Sequence, residues 1–287
     1  MSDNIIHCWP NRIDEATLTN VSGTYDANWP LANIKNGVLA KVARTTSTGN
    51  ITIGITLPET RIIGVVNLAN HNLSVKAECR VSVYKDATKA ILRNSPAWQK
   101  VWPRVYESTA LIWTASNWWY GRAEEEQRLS FTHLYTYFTD ANVESRYIEI
   151  EISDPTNAAG YFEIGRIFVG QVLQPTYNPE YGKINYGYID QTEVAEATDG
   201  TEYFYQKRKR RTVNFSLNHM TLDEAFGAAY DSFRAQGISG EILHAFSKVP
   251  TTYSYARTFL SRYSAMDSIG FPYINAYEVN FQLREVV

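Results

Sequence analysis

The chain is 287 residues long, 44% hydrophobic and 20% charged, with a formal net charge of -3 at pH 7. That is room for two ordinary domains and enough apolar material to fold, which excludes global disorder. The slight acidity argues against a dedicated nucleic-acid binder, which carries a basic surplus, and two cysteines, Cys8 and Cys79, exclude a disulfide framework.

Residues 1–27 are polar and irregular and read as an N-terminal arm, either tied to a neighbouring subunit or disordered. The opening MSDNIIHCWPNRID has no basic start and no apolar core, so it is not expected to be a signal peptide. Apolar runs such as Ile62-Ile63-Gly64-Val65-Val66 are too short to cross a bilayer. A soluble product made in the cytoplasm, without membrane insertion, is expected.

In ITIGITL, Ile51, Ile53, Ile55 and Leu57 share one face of a strand. Pro58-Glu59 is expected to turn the chain. RIIGVVNLANHNL then reads as a strand buried on both sides, and CRVSVYKD, residues 79–86, as another. Short strands at this spacing predict a sandwich or barrel.

Residues 94–130 interrupt the pattern and hold five of the seven tryptophans: Trp98, Trp102, Trp113, Trp118 and Trp119. A loop this long is usually functional. Its indoles either stack on sugar faces, or pack the loop onto its own domain and dock a partner. Glu124-Glu125-Glu126 could offer carboxylates for acid/base work, but a charge cluster of this kind is more often a solvated face.

In SRYIEIEISDPTNAAGYFEIGRIFVG, Ile148, Ile150 and Ile152 alternate with Glu149 and Glu151, and a second extended run covers 161–169. Asp154-Pro155, Asn157 and Gly160 supply turn chemistry between them. The stretch predicts an antiparallel hairpin at the edge of the sandwich.

From Gln171 the composition shifts to Pro, Tyr, Asn and Gly, which reads as a linker or surface arm. Val213, Phe215 and Leu217 face one way on a strand with a basic leading end, Lys207-Arg208-Lys209-Arg210-Arg211. That run fits a phosphate or nucleic-acid contact, an exposed strand edge kept soluble by like charge, or an interface with an acidic neighbour; the last two together are the favoured reading. Thr221 and Glu224 make a capping box. Leu222, Ala225, Phe226, Ala229, Tyr230 and Phe233 form an apolar stripe on the helix that follows, and Gly237 ends it. In AYEVNFQLREVV, Tyr277, Val279, Phe281 and Leu283 share one side of a last strand.

The histidines at 7, 71, 133, 219 and 244 show no metal-ligand spacing, and no CxxC, HExxH, GxSxG, Walker-type or GxGxxG stretch occurs. No catalytic residue, metal or cofactor is predicted, and an enzyme is not expected.

The segments LANI, ITIGITLPETRIIGVVNLANHNLS and SRYIEIEISDPTNAAGYFEIGRIFVGQ resemble discoidin-type, galactose-binding-like sandwiches, although the tryptophan that family often carries near Val42-Ala43-Arg44 is missing. Ligand sites in that family lie on variable loops, so no sugar-binding residue carries over. Over residues 28–287 the order of WPLANI, NLANHNLS, VWPRVYESTALIWTASNWWYGR, GYFEIGRIFVG, QPTYNPEYG, basic strand, capped helix and final strand resembles tail structural proteins of long-tailed bacteriophages. The resemblance implies a distal-tail or baseplate subunit. It would form a symmetric ring with copies of itself, contact other phage tail or baseplate proteins and reside in the virion tail. Host surface glycans are the alternative ligand. The expected fold is mainly β: a discoidin-like sandwich over 28–170, then an α+β, split-barrel-like unit over 171–287 with one amphipathic helix.

Overall fold

A computed structural model describes residues 4–94, 97–122, 124, 131–274 and 276–287. Most elements are strands in antiparallel sheets, and the chain divides into two compact units. The first comprises residues 1–174 with 243–258, and the second 175–242 with 259–287.

Unit 1 begins with β1 (Ile6–Cys8) and β2 (Thr17–Ser22), followed by β3 (Ala43–Arg44) and the 21-residue β4 (Ile51–His71). Then come β5 (Glu78–Tyr84), β6 (Leu92–Asn94), β7 (Gln99–Lys100), the 20-residue β8 (Leu134–Ser153), β9 (Glu163–Gly170) and β10 (Val172–Leu173). The expected turn at Pro58-Glu59 is instead a bend within β4. The β4/β8 register slips between Thr56 and Arg61, so Pro58, which has no amide N–H, costs no ladder bond there. Before the bend β4 lies between β2 and β8; after it, β4 lies between β9 and β8. One strand pair therefore serves both limbs of the sandwich. Ile51, Ile53, Ile55, Leu57, Ile148, Ile150 and Ile152 from the first limb share a core with Val66, Leu68, Tyr135, Ile167 and Val169 from the second.

The inward face of β4 changes from odd to even numbers at a second slip, between Ile63 and Val65. Gly64 sits there. A Cβ on it would lie 2.0 Å from Asn142 Oδ1 and 2.9 Å from the Val172 amide nitrogen.

The expected edge hairpin is not formed. β8 and β9 flank β4 on opposite sides and do not pair with each other. Burial decides this: seven of the eight β9 residues are buried, so β9 belongs inside the sheet, beside the equally buried 63–69 stretch of β4. The N-terminal segment is likewise no loose arm. Ile5, Ile6, Cys8 and Ile13 are buried, and β2 pairs with β4. Asn11 accepts from the Val169 amide at 3.1 Å and donates to the Ile167 carbonyl at 3.1 Å, standing in for a neighbouring strand of β9. Its apolar residues are few, most of them, though not Val21, are turned inward, and general polarity concealed them.

Unit 2 holds β11 (Ile184–Ile189), β12 (Glu193–Glu196), β13 (Glu202–Tyr205) and β14 (Arg210–Met220). After a helical segment come β15 (Ile242–Ala245), whose residues from Leu243 onward belong to unit 1 and pair with β1, then β16 (Thr258–Met266), β17 (Gly270–Tyr273) and β18 (Ala276–Glu285). β16, β18, β14 and β11 lie side by side in that order. The expected linker from 171 thus contains an edge strand, β11, and unit 2 begins at 175 rather than 171.

Thr221 caps the helical segment as expected: its hydroxyl accepts from the Glu224 amide at 3.3 Å, and the Glu224 carboxylate accepts from the Thr221 amide at 2.9 Å. The first eight residues, Asp223–Tyr230, form a π-helix, and α1 (Asp231–Gln236) follows, ending at Gly237 with φ of 52°. The wider π turn splits the predicted stripe. Ala225, Ala229 and Phe233, four residues apart, are buried, while Leu222, Phe226 and Tyr230 stay exposed.

Candidate functional site

The five tryptophans do not converge on one site. Trp102 packs inward: its ring meets His71 at 5.7 Å and His133 at 5.2 Å, both edge-on, and its Nε1 donates to the Leu73 carbonyl at 3.0 Å. His71 is buried at the end of β4, accepts from the Leu73 amide at 3.3 Å, and has its pKa pushed down to about 3 by burial, with nearby His133 adding to the effect. Trp102, His71 and His133 therefore form one packing unit that anchors the loop at the end of β4. Trp98 lies under the Arg80 guanidinium at 5.1 Å. Trp118 and Trp119 meet edge to face at 4.9 Å. Trp113 and Trp119 are the most exposed, at 77% and 78%. Glu124 is exposed; Glu125 and Glu126 lie outside the described residues, as do 95–96, 123 and 127–130 of this insertion.

The basic run resolves into intrachain pairs. Lys207 is bonded to Glu193, Lys209 lies 3.6 Å from Asp190, and Arg211 forms a buried pair with Glu285. Arg210 and Arg211 are matched to Ile189 and Tyr188 of β11, so this end of β14 is not a sheet edge. Arg208 is exposed. The acidic partner expected for the run is thus, for three of its five members, this chain itself.

Sequence reasoning passed over another exposed apolar feature. β12 and β13 form a two-stranded hairpin beyond the β11/β14 pair, in register Glu193–Tyr205, Val194–Phe204, Ala195–Tyr203 and Glu196–Glu202. Every residue of both strands is exposed, including Val194, Tyr203, Phe204 and Tyr205. The signal was present: Asp199-Gly200 between two extended runs marks a hairpin turn, and Gly200 takes φ of 84°. Tyr188 and Ile189 of β11 are exposed as well.

No group of three or more metal-ligating side chains occurs among the described residues, and no described helix is long and apolar enough to cross a membrane. No family model matches the chain, and no curated protein does. Among solved structures, the chain is similar to the galactose-bound family 32 CBM of C. perfringens NanJ, with 12% identity, 57% of this chain and 98% of that one covered, and a TM-score of 0.37. It is also similar to a fucose-binding module of Streptococcus pneumoniae, at 14% identity, 56% and 95% coverage, TM-score 0.35. The lectin domain of lectinolysin complexed with Lewis B antigen matches at 13% identity, 56% and 96% coverage, TM-score 0.36. Scores this low assign no ligand.

Proposed function

We propose that the chain is a structural subunit of a bacteriophage tail tip or baseplate, working by assembly with copies of itself and with neighbouring tail proteins. The observation that carries this reading is the β12/β13 hairpin. A two-stranded ribbon is marginal alone in water, and this one turns Val194, Tyr203, Phe204 and Tyr205 to solvent. Exposed contiguous apolar surface on a strand pair marks a partner surface. The order of segments resembling tail proteins points to the same role. Immunogold electron microscopy of virions tests it: label should sit at the tail tip, and label absent from the particle would end the reading.

The exposed indoles favour a second reading, a carbohydrate-binding module for host surface glycans. Trp113 and Trp119 present their rings to solvent on the sandwich unit, as sugar-stacking residues do. Galactose, fucose and Lewis b glycans are the first probes. Binding that disappears in Trp119→Ala supports this reading, and no binding to any of them removes it.

A further inference from the structure

We infer that three arginines on one face of the unit 2 sheet, Arg210, Arg262 and Arg284, form a binding site for a phosphoryl group. The inference does not rest on the assembly reading.

The strand register brings the three together. Arg262 of β16 is matched to Arg284 of β18, and Arg284 to Thr212 of β14. Ser261, Tyr263, Leu283, Glu285, Arg211 and Val213 are buried. Side chains alternate between the faces of a strand, so Arg262, Arg284, Thr212 and Arg210 share the opposite face. Arg262 and Arg284 stand directly across from each other, with Cβ atoms about 5 Å apart, and Arg210 lies on the diagonal from Arg284 at about 7–8 Å, within reach of long side chains. All three are half-buried. Gly187 of β11 is matched to Thr212, so no β11 side chain crowds that end of the row.

Their charge is not neutralised within the chain. Among the described residues no carboxylate lies within ion-pair distance of any of the three. Asp267 accepts instead from the amide of Gln282, the next residue of β18 on this face, at 3.3 Å. The Nε–H groups of Arg210 and Arg262 are shielded from solvent and have no acceptor in the protein, and a donor so placed calls for one. Elsewhere, matched strand residues carry opposite charges and form ion pairs: Arg44 with Glu163, Arg80 with Glu151, and Glu78 with Lys100. Glu196 and Glu202 are matched like charges, but both are fully in water on the hairpin. Arg262 and Arg284 repel each other where water screens them less, and an anion relieves that repulsion.

The chemistry of the face selects the anion. Each guanidinium is a rigid fork of donors suited to gripping an oxyanion through two bonds. A single carboxylate has two oxygens and one charge, too few for three forks. A phosphoryl group offers three strong acceptor oxygens and about -1.5 to -2 charges at pH 7. The Thr212 hydroxyl adds a further donor on the same face.

Calorimetric titration of the full chain with inorganic phosphate, at constant ionic strength, should show saturable binding. Arg262→Gln and Arg284→Gln should each weaken it roughly tenfold or more, the share of one charge-assisted bond. Lys209→Gln, which alters a cation already beside Asp190, should leave it unchanged. Without phosphate, Arg284→Gln should melt no lower than the wild type, because it removes a repulsion, and phosphate should raise the wild-type midpoint more than the variant's. A short oligothymidylate lacking terminal phosphates separates the sources: competition with phosphate makes a phosphodiester chain the ligand, and no competition makes it a small phosphate compound. Absence of saturable phosphate binding, wild-type affinity in both arginine variants, a lower phosphate-free midpoint for Arg284→Gln, or tighter binding of triglutamate than of phosphate would overturn the site. None of these results bears on whether the chain assembles.

Discussion

Arg211 and Glu285 form an ion pair across β14 and β18 with side chains only 3% and 4% exposed. The Arg211 amide also donates to Glu285 at 3.0 Å, and its guanidinium lies 5.0 Å from the Phe259 ring centre. The last member of the basic run is therefore a core residue of unit 2. Removing one partner strands the other's charge in the interior, so Glu285→Ala should cost about 3–5 kcal/mol in denaturant unfolding. The double change Arg211→Met with Glu285→Leu should recover most of that loss. Equal destabilisation by single and double variants would contradict the pairing.

Gly64 sits at the second register slip of β4, where the inward face changes from odd to even numbers. Asn142 lies over it, accepting from the Val172 amide at 3.1 Å and donating to the Val172 carbonyl at 2.9 Å. Gly64→Ala would push into both partners and should cost ~2–3 kcal/mol by overpacking. A thermal midpoint equal to wild type would show that the bulge relaxes freely.

The tryptophans should divide by role. Trp102→Ala opens a hole beside His71 and His133 and should cost ~2–4 kcal/mol. Trp119→Ala, at an exposed site, should change stability by no more than ~0.5 kcal/mol. Parallel melting curves of the two variants check this, and a large loss in Trp119→Ala would make it packing instead of surface.

His7 and His71 are both held down to about 3 by burial, from an ordinary 6.5. Their folded forms bind fewer protons than the unfolded chain between these limits. Stability contributed by burying them neutral is complete above pH 6.5 and is lost as pH falls from 6.5 towards 3, by up to ~1.4 kcal/mol per pH unit for each imidazole. His71→Gln should remove up to about one proton's worth of that slope between pH 6.5 and 4.5. An unchanged slope would place the His71 proton elsewhere.

How much was readable in the residues differs by element. Alternation at Ile148, Ile150 and Ile152 and at Val213, Phe215 and Leu217 correctly placed the inward faces, because period two is a local property of the strand. Pairing was not readable: β9 joins β4 across nearly a hundred residues, and chain adjacency to β8 suggested the wrong neighbour. The capping box of Thr221 and Glu224 was local and legible; the π turn that exposes Phe226 was not, since the same residues satisfy an α-helical stripe. The candidate surfaces divided likewise. Composition singled out the tryptophans, yet Trp102 faces inward, while the acidic, turn-bearing text around Phe204 concealed an exposed aromatic ribbon.

The central claim is self-assembly through the apolar hairpin, and sedimentation velocity over a wide concentration range addresses it most directly. The full chain should move as a discrete species larger than one subunit, and a variant with residues 191–206 replaced by a short Gly-Ser turn should sediment as a folded monomer. A wild type that remains monomeric at the highest concentration, or a truncated variant that assembles as the wild type does, would contradict it.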